Sequence, residues 1–401
     1  MTKRTRIVCS AVLAAALRGQ PLSPAWVELG EGGRTLARII VNGRGDCPSI
    51  QVDGRSRTMS LREPVPDALR PACEFAIPPG ARSASVNRQV LVLPSSNVTR
   101  VVVLGDTGCR IKGDRVQDCN DPAKWPFQQV AVHAASEKPA VVVHVGDYLY
   151  RESVCPLGSE ASCGGTPAGD TWEAWNADFF TPAAKLLASA PWAFSRGNHE
   201  DCQRSWQGWF YYLDPRPFTA TCAQYSRPYV IAVGKLELAM LDSSSVHEDE
   251  AEVDQVNEYT AQLASIHASN AWLVAHHPFW GFKSDPSGGP PHPISAPLAA
   301  AWDKSLPHGI SLVVSGHIHL FELLNFDRGR PSQLVAGDGG TDLAMAVETS
   351  VKGSLVHGAS VVASGSLHDF GYTLLSKHGD QWKLTLKGRS GAVLFDYSLP
   401  K

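Results

Sequence analysis

Between residues 25 and 94, apolar and polar positions alternate in short runs, such as Ala37-Arg38-Ile39-Ile40-Val41 and Ser49-Ile50-Gln51-Val52. Asn42-Gly43 and Asp53-Gly54 fall where such runs would turn back, so 25–95 is expected to be a small all-β domain. Residues 94–97 read as a linker. From Val98 onward the pattern changes to strand-like apolar runs at 100–104, 140–145, 192–195, 236–241, 272–275 and 310–315. Helical stretches separate them, and in one of these Val253, Val256, Leu263 and Ile266 recur on a single face. Strands alternating with helices predict an α/β region over 98–401, whose strand ends can bring distant loops to one sheet edge. The chain shows no internal repeat and no low-complexity tract.

Composition narrows the functional classes. A formal net charge of −3 leaves no electrostatic footprint for nucleic acid or an anionic membrane. Charged residues are only 19% of the chain, while 35 Gly and 28 Pro indicate a loop-rich globular protein. Lys3, Arg4 and Arg6 precede a small, apolar stretch at 7–17, with 14–16 as a cleavage region. This makes 1–24 a short, imperfect signal segment, although an ordinary first strand or helix with a basic start would read the same way. No later segment is long and apolar enough to span a membrane.

Eight of the nine cysteines fall into local couples: Cys47 with Cys73, Cys109 with Cys119, Cys155 with Cys163, and Cys202 with Cys222. Free core thiols or a zinc cluster are the alternatives to disulfides, and no Cys-x-x-Cys spacing supports zinc. Bridged, the last three couples would staple loops close to the motifs described next, in an exported protein. The sequence leaves other pairings open. Asn97-Val98-Thr99 is a formal glycosylation acceptor.

Five segments at the ends of apolar runs carry metal-ligand residues: Gly105-Asp106-Thr107-Gly108, Gly146-Asp147-Tyr148-Leu149-Tyr150, Gly197-Asn198-His199-Glu200, His276-His277-Pro278 and Gly316-His317-Ile318-His319. Singly each is a weak or moderate signal. In this order, over roughly residues 100–325, they resemble the metallophosphoesterase superfamily. Gly108 stands where many members have a ligand histidine, and Tyr150 completes Gly-Asp-x-x-Tyr, the pattern of purple acid phosphatases. Members of that group often carry an N-terminal β-sandwich, which is compatible with the 25–95 stretch.

The resemblance implies two packed mixed β-sheets flanked by helices, with ligands on the connecting loops. It implies two metal ions per chain, Fe(III) plus a divalent Fe, Zn or Mn. The first ion would take Asp106, Tyr150 and His319; the second would take Asn198, His276 and His317; Asp147 would bridge both. A phenolate suits Fe(III), because a trivalent ion lowers the phenol pKa. Otherwise Tyr150 would merely pack on its loop, and Tyr148 has the wrong spacing for the motif. His277 is expected in an outer-sphere or structural place.

His199 matches the family histidine that contacts phosphate and protonates the leaving group, with a structural bond to Asp147 as its alternative. Metal-bound hydroxide would attack phosphorus. Arg151, Arg196, His277 and His292 are weaker candidates for gripping substrate, as are Arg110 and Lys283. Gly337-Asp338-Gly339-Gly340 looks like a metal loop but reads better as a turn after a late strand. The expected activity is an exported or periplasmic acid phosphatase acting on phosphate monoesters. A phosphodiesterase or nucleotide hydrolase of the same superfamily would use the same ligands. A secreted binding protein without turnover is a third class, and its mark, a missing ligand, is not seen.

Overall fold

A computed structural model describes residues 21–248, 250–347 and 350–400. The signal-like reading rests on residues 1–20, which lie outside that range.

The apolar runs become the centres of two large mixed sheets. In the first, Arg100–Leu104, Val141–His144, Pro191–Phe194 and Trp26–Leu29 run parallel, side by side. Antiparallel strands continue it on one flank through Gly371–His378, Gln381–Gly388 and Val393–Ser398. In the second, Leu236–Met240, Ala271–Val274, Ile310–Ser315 and Ser332–Ala336 run parallel, with antiparallel strands at both sides.

Side-chain alternation packs the two sheets together. Val101, Val103, Val141 and Val143 point between the sheets, against Leu238, Trp272, Val274, Leu312 and Val314. Their neighbours Val102, Leu104 and Val142 face outward onto Phe127 and Val130 of the helix Phe127–Ser136. Leu273 and Val313 of the other sheet meet Tyr259 and Leu263 of the helix Val253–Ala264. Strands covered on both faces have no polar side to show, which is why their sequences are unbroken runs. Each buried valine contributes roughly 1.5–3 kcal/mol. The predicted helical face is shorter than expected: Val256 and Leu263 are buried, Val253 is 69% exposed, and Ile266 follows the helix end.

The stretch at 25–95 consists of strands, yet it is divided. Ser49–Val52, Arg55–Thr58, Ala84–Val86 and Gln89–Leu91 form a four-stranded sheet, while Trp26–Leu29, Thr35–Ile40, Ala72–Ile77 and Ser60–Leu61 extend the first large sheet. The segment 94–97 therefore leads from the small sheet into the large one, which already holds four strands from the 25–95 stretch. The reason is burial: Trp26, Ile40 and Ala72 share one cluster with Phe180, Trp192 and Tyr212. Buried Arg38 strengthens the seam, bonding Glu28 at 2.7 Å and the Tyr212 and Asp214 carbonyls at 2.8 and 2.7 Å.

All four cysteine couples are bridged: Cys47–Cys73, Cys109–Cys119, Cys155–Cys163 and Cys202–Cys222. No helix among the described residues is long and apolar enough to cross a membrane.

Candidate functional site

The five motifs leave the strand ends and meet at one edge of the paired sheets. The turns are tight. Asp106, Asp147 and His317 take left-handed φ values of 53°, 61° and 71°, a conformation costing non-glycine residues about 1–2 kcal/mol each. The surroundings hold them there: Asp106 N–H donates to the Gly146 carbonyl and His317 N–H to Asp106 Oδ2. Two glycines are required by contact. A Cβ on Gly197 would lie 2.0 Å from Asp147 Oδ1, and one on Gly316 would lie 2.3 Å from Asp106 Oδ2.

The side chains converge in two adjoining clusters. In the first, Tyr150 Oη lies 2.7 Å from Asp147 Oδ2, 2.8 Å from His319 Nε2 and 3.2 Å from Asp106 Oδ1. In the second, Asn198 Oδ1 lies 2.9 Å from His276 Nε2 and 3.0 Å from His317 Nδ1. His276 Nε2 also approaches Asp147 Oδ2 at 3.2 Å. Asp147 Oδ2 thus touches both groups, the position expected of a bridge.

The donor chemistry fits metal ions. Each cluster gathers more lone pairs than protons within contact distance. Burial, then the Asp147 and Asp106 carboxylates, pushes the Tyr150 phenol well above its usual range, so ionising it calls for added positive charge. Against burial, Asp147 raises His276 to about 9. The cluster favours a positive charge at that point, whether a proton or an ion. Asp106, Asp147 and His319 bring ligand atoms within 4.8 Å of one another, as do His276, His277 and His317.

His199 sits on the rim. Its backbone N–H donates to Asp147 Oδ1 at 2.9 Å, and its ring lies over Tyr150 with centroids 3.8 Å apart. Nδ1 is 2.5 Å from Glu152 Oε1. Burial lowers the His199 pKa, opposed by Asp147 and Glu152. A cavity of about 450 Å³ opens over the site, bordered by Tyr150, His199, His317 and His319 and by the cations Arg110, Arg115 and Lys283.

The weaker sequence candidates fare differently. Arg151 is buried and paired with Asp178 at 2.5 Å. Arg196 is buried too, bonding the Glu200 and Ala223 carbonyls and Asp242. Neither cation faces the cavity, because each neutralises a carboxylate inside the protein. His292 is exposed across a short hairpin from Lys283 and does not border the cavity. His277 is closer to the chemistry than expected, with its ring centroid 4.0 Å from that of His317, but it faces a neighbouring cavity. Tyr148 bonds the Ser195 carbonyl at 2.9 Å, away from both clusters. The Gly337–Gly340 stretch is a loop after Ser332–Ala336, and Gly339 N–H donates to the Gly105 carbonyl.

Three acidic residues given no role by the sequence reading matter here. Glu152 contacts His199; its only signal was a charge two positions after Tyr150. Glu200 accepts the Asp147, Tyr148, Leu149 and Gly197 N–H groups, clamping two motif loops together, and it closes a quoted motif. Glu248 meets His317 from a loop without any motif.

The family model for calcineurin-like phosphoesterases matches residues 99–321. Among solved structures, a purple acid phosphatase, PPD1, from yellow lupin (Lupinus luteus) seeds aligns at TM-score 0.58 and 14% identity, covering 93% of this chain and 73% of its own. PhoD aligns at TM-score 0.52 and 11% identity, covering 93% of this chain and 88% of its own. These two likenesses concern the fold. No curated protein matches the sequence.

Proposed function

The chain belongs to the calcineurin-like phosphoesterase family, and from that premise we propose that it hydrolyses phosphate monoesters as a purple acid phosphatase does, outside the cytoplasm. The observation that carries the reading is the Tyr150 phenol, set within 3.2 Å of Asp106, Asp147 and His319. Asp106, Tyr150 and His319 would hold Fe(III), while Asn198, His276 and His317 would hold divalent Fe, Zn or Mn, and Asp147 would join them. Bound there, the ions supply Lewis-acid neutralisation of charge during in-line displacement at phosphorus.

The chain's own residues do the rest. Arg110 and Arg115 line the cavity and draw the phosphate dianion in. Glu152 stands against the Nδ1 edge of His199 and favours the imidazolium; in that protonated form Nε2–H faces away from Glu152 and hands its proton to the departing alcohol at acid pH. Buried Glu200 keeps the Asp147 and Asn198 loops from drifting apart. Four disulfides support an oxidising compartment.

The test compares initial rates on an aryl phosphate monoester and diester from acid to neutral pH, with metal content measured in parallel. Monoester turnover dominating at acid pH, with two ions per chain and iron among them, is the expected result. Dominant diester turnover would replace the monoester assignment, and a chain holding no more than one ion would overturn the two-ion reading.

A further inference from the structure

The three clustered histidines are oriented by different partners. His276 Nδ1 meets the Val145 carbonyl at 2.8 Å, and His319 Nδ1 meets the Asp342 carbonyl at 2.8 Å. A neutral backbone oxygen fixes the tautomer and the ring plane of each. His317 is different. Its Nδ1 faces the second cluster, 3.0 Å from Asn198 Oδ1 and 3.3 Å from His276 Nε2. Its Nε2 meets a carboxylate oxygen of Glu248, whose other oxygen meets the Lys283 ammonium.

We propose that Glu248 is the positioning residue for the second ion: it accepts Nε2–H of His317, presents the Nδ1 lone pair inward, and is itself held by Lys283. The inference rests on the two-ion reading above. A carboxylate behind an imidazole fixes the tautomer as a carbonyl does, and also raises the basicity of the opposite nitrogen. The position calls for such help. His317 turns into the site with φ 71°, so its backbone alone holds it in a strained aim. Asn198, a neutral amide, is the weakest donor of the seven, and a more basic His317 offsets it.

The Lys283 contact explains why Glu248 stays with the imidazole. Unpaired, a carboxylate at the mouth would compete with the phosphate for the ion. Paired with ammonium, its charge is balanced and one oxygen remains for His317. Glu248 also borders both the cavity over the site and the neighbouring one of about 970 Å³. Together with Asn198, which also borders both, it stands between them.

The experiment titrates manganese(II) into chelator-treated full-length protein, counting free ion by electron paramagnetic resonance, with thermal unfolding of each variant as a control. Glu248→Ala should weaken the second ion about 10–100-fold and leave the first unchanged. Glu248→Gln, which keeps an acceptor oxygen for Nε2–H, should recover part of the loss. His317→Ala should lose the second ion altogether. Unchanged affinity for both ions in Glu248→Ala overturns the proposal, as does equal weakening of both with a lowered unfolding temperature. Two tightly bound ions in His317→Ala would bring down the ligand assignment itself, and this inference with it.

Discussion

Glu152 Oε1 lies 2.5 Å from His199 Nδ1, so a carboxylate stands against one edge of the imidazole. The other edge looks toward Asp147, with Nε2 3.9 Å from its Oδ2. Against burial, His199 and then Arg204 and Lys112, at 3.4 and 3.2 Å, hold the Glu152 carboxyl down at about 2. A histidine placed in this way suits proton delivery to an alcohol. His199→Ala should lower kcat for an alkyl phosphate about 10²–10⁴-fold. For a nitrophenyl phosphate the loss should be much smaller, because that group leaves unprotonated. Glu152→Gln should fall on the same side, with a loss on the order of tenfold. Equal losses on both esters would remove His199 from the acid role.

Tyr150 should control colour more than turnover. If its phenolate binds Fe(III), the iron-loaded protein absorbs in the visible by charge transfer, and Tyr150→Phe removes that band while both ions remain. Asp147→Ala should cut activity at least 10²-fold, because Asp147 Oδ2 touches both clusters. An absorption band that persists in Tyr150→Phe would exclude the tyrosinate.

Arg151 follows the Gly-Asp-x-x-Tyr motif directly, and that adjacency suggested a phosphate grip. Its Nε instead holds Asp178, with both side chains nearly inaccessible. Asp178 in turn accepts the backbone N–H groups of Cys109 and Tyr150 at 3.2 and 2.9 Å. Arg151→Ala leaves that carboxylate buried without its cation, at a cost of about 3–5 kcal/mol. Denaturant midpoints should drop accordingly, while KM for an aryl phosphate stays within a few-fold. Raised KM at unchanged stability would return Arg151 to the substrate.

The contrast between Arg151 and Tyr150 shows what the sequence could carry. A strand that ends in a turn must place its next residues at the sheet edge, so the five motifs could be read in order from unbroken apolar runs. The disulfide couples were legible for a related reason, since each spans a short loop. Glu248 and Glu152 were not, because a single charge in an irregular loop has no period to betray its direction. Long-range pairing was equally hidden. Val27 lies beside Pro191 in parallel, and nothing local to either strand names the other. Hence the first strands looked like a separate unit, although they extend the sheet that carries Asp106 and Asp147.

Cys202–Cys222 closes the loop that follows the Asn198 motif, with a sequence separation of 20. In the chain-entropy account, a loop of this size contributes roughly 3 kcal/mol by restricting the unfolded chain. Replacing both cysteines by serine should lower the denaturation free energy by about that amount. Arg196 also donates toward both sulfurs, at 3.7 and 3.2 Å, so its contacts loosen in the same variant. Unaltered stability in the double variant would mean that the loop is held by its other contacts alone.

Glu322 should make stability fall as pH rises. It lies in the strand Phe321–Phe326, 1% exposed; one oxygen accepts the Phe282 N–H at 3.0 Å, and the other has no partner. Burial pushes its pKa from 4.5 to about 8. The folded state therefore holds this proton more tightly than the unfolded chain does. Its contribution is fully present below pH 4.5 and is lost progressively as pH climbs toward 8, where ionisation without a counter-charge opposes folding. At pH 7 the deficit is on the order of 3 kcal/mol. Glu322→Gln keeps an acceptor for Phe282 and cannot ionise. Denaturation of the two proteins at pH 4.5 and pH 8 should show the glutamine variant gaining on the native chain as pH rises. A constant difference would place the Glu322 pKa at its ordinary value, and a difference of opposite slope would require a cation beside it.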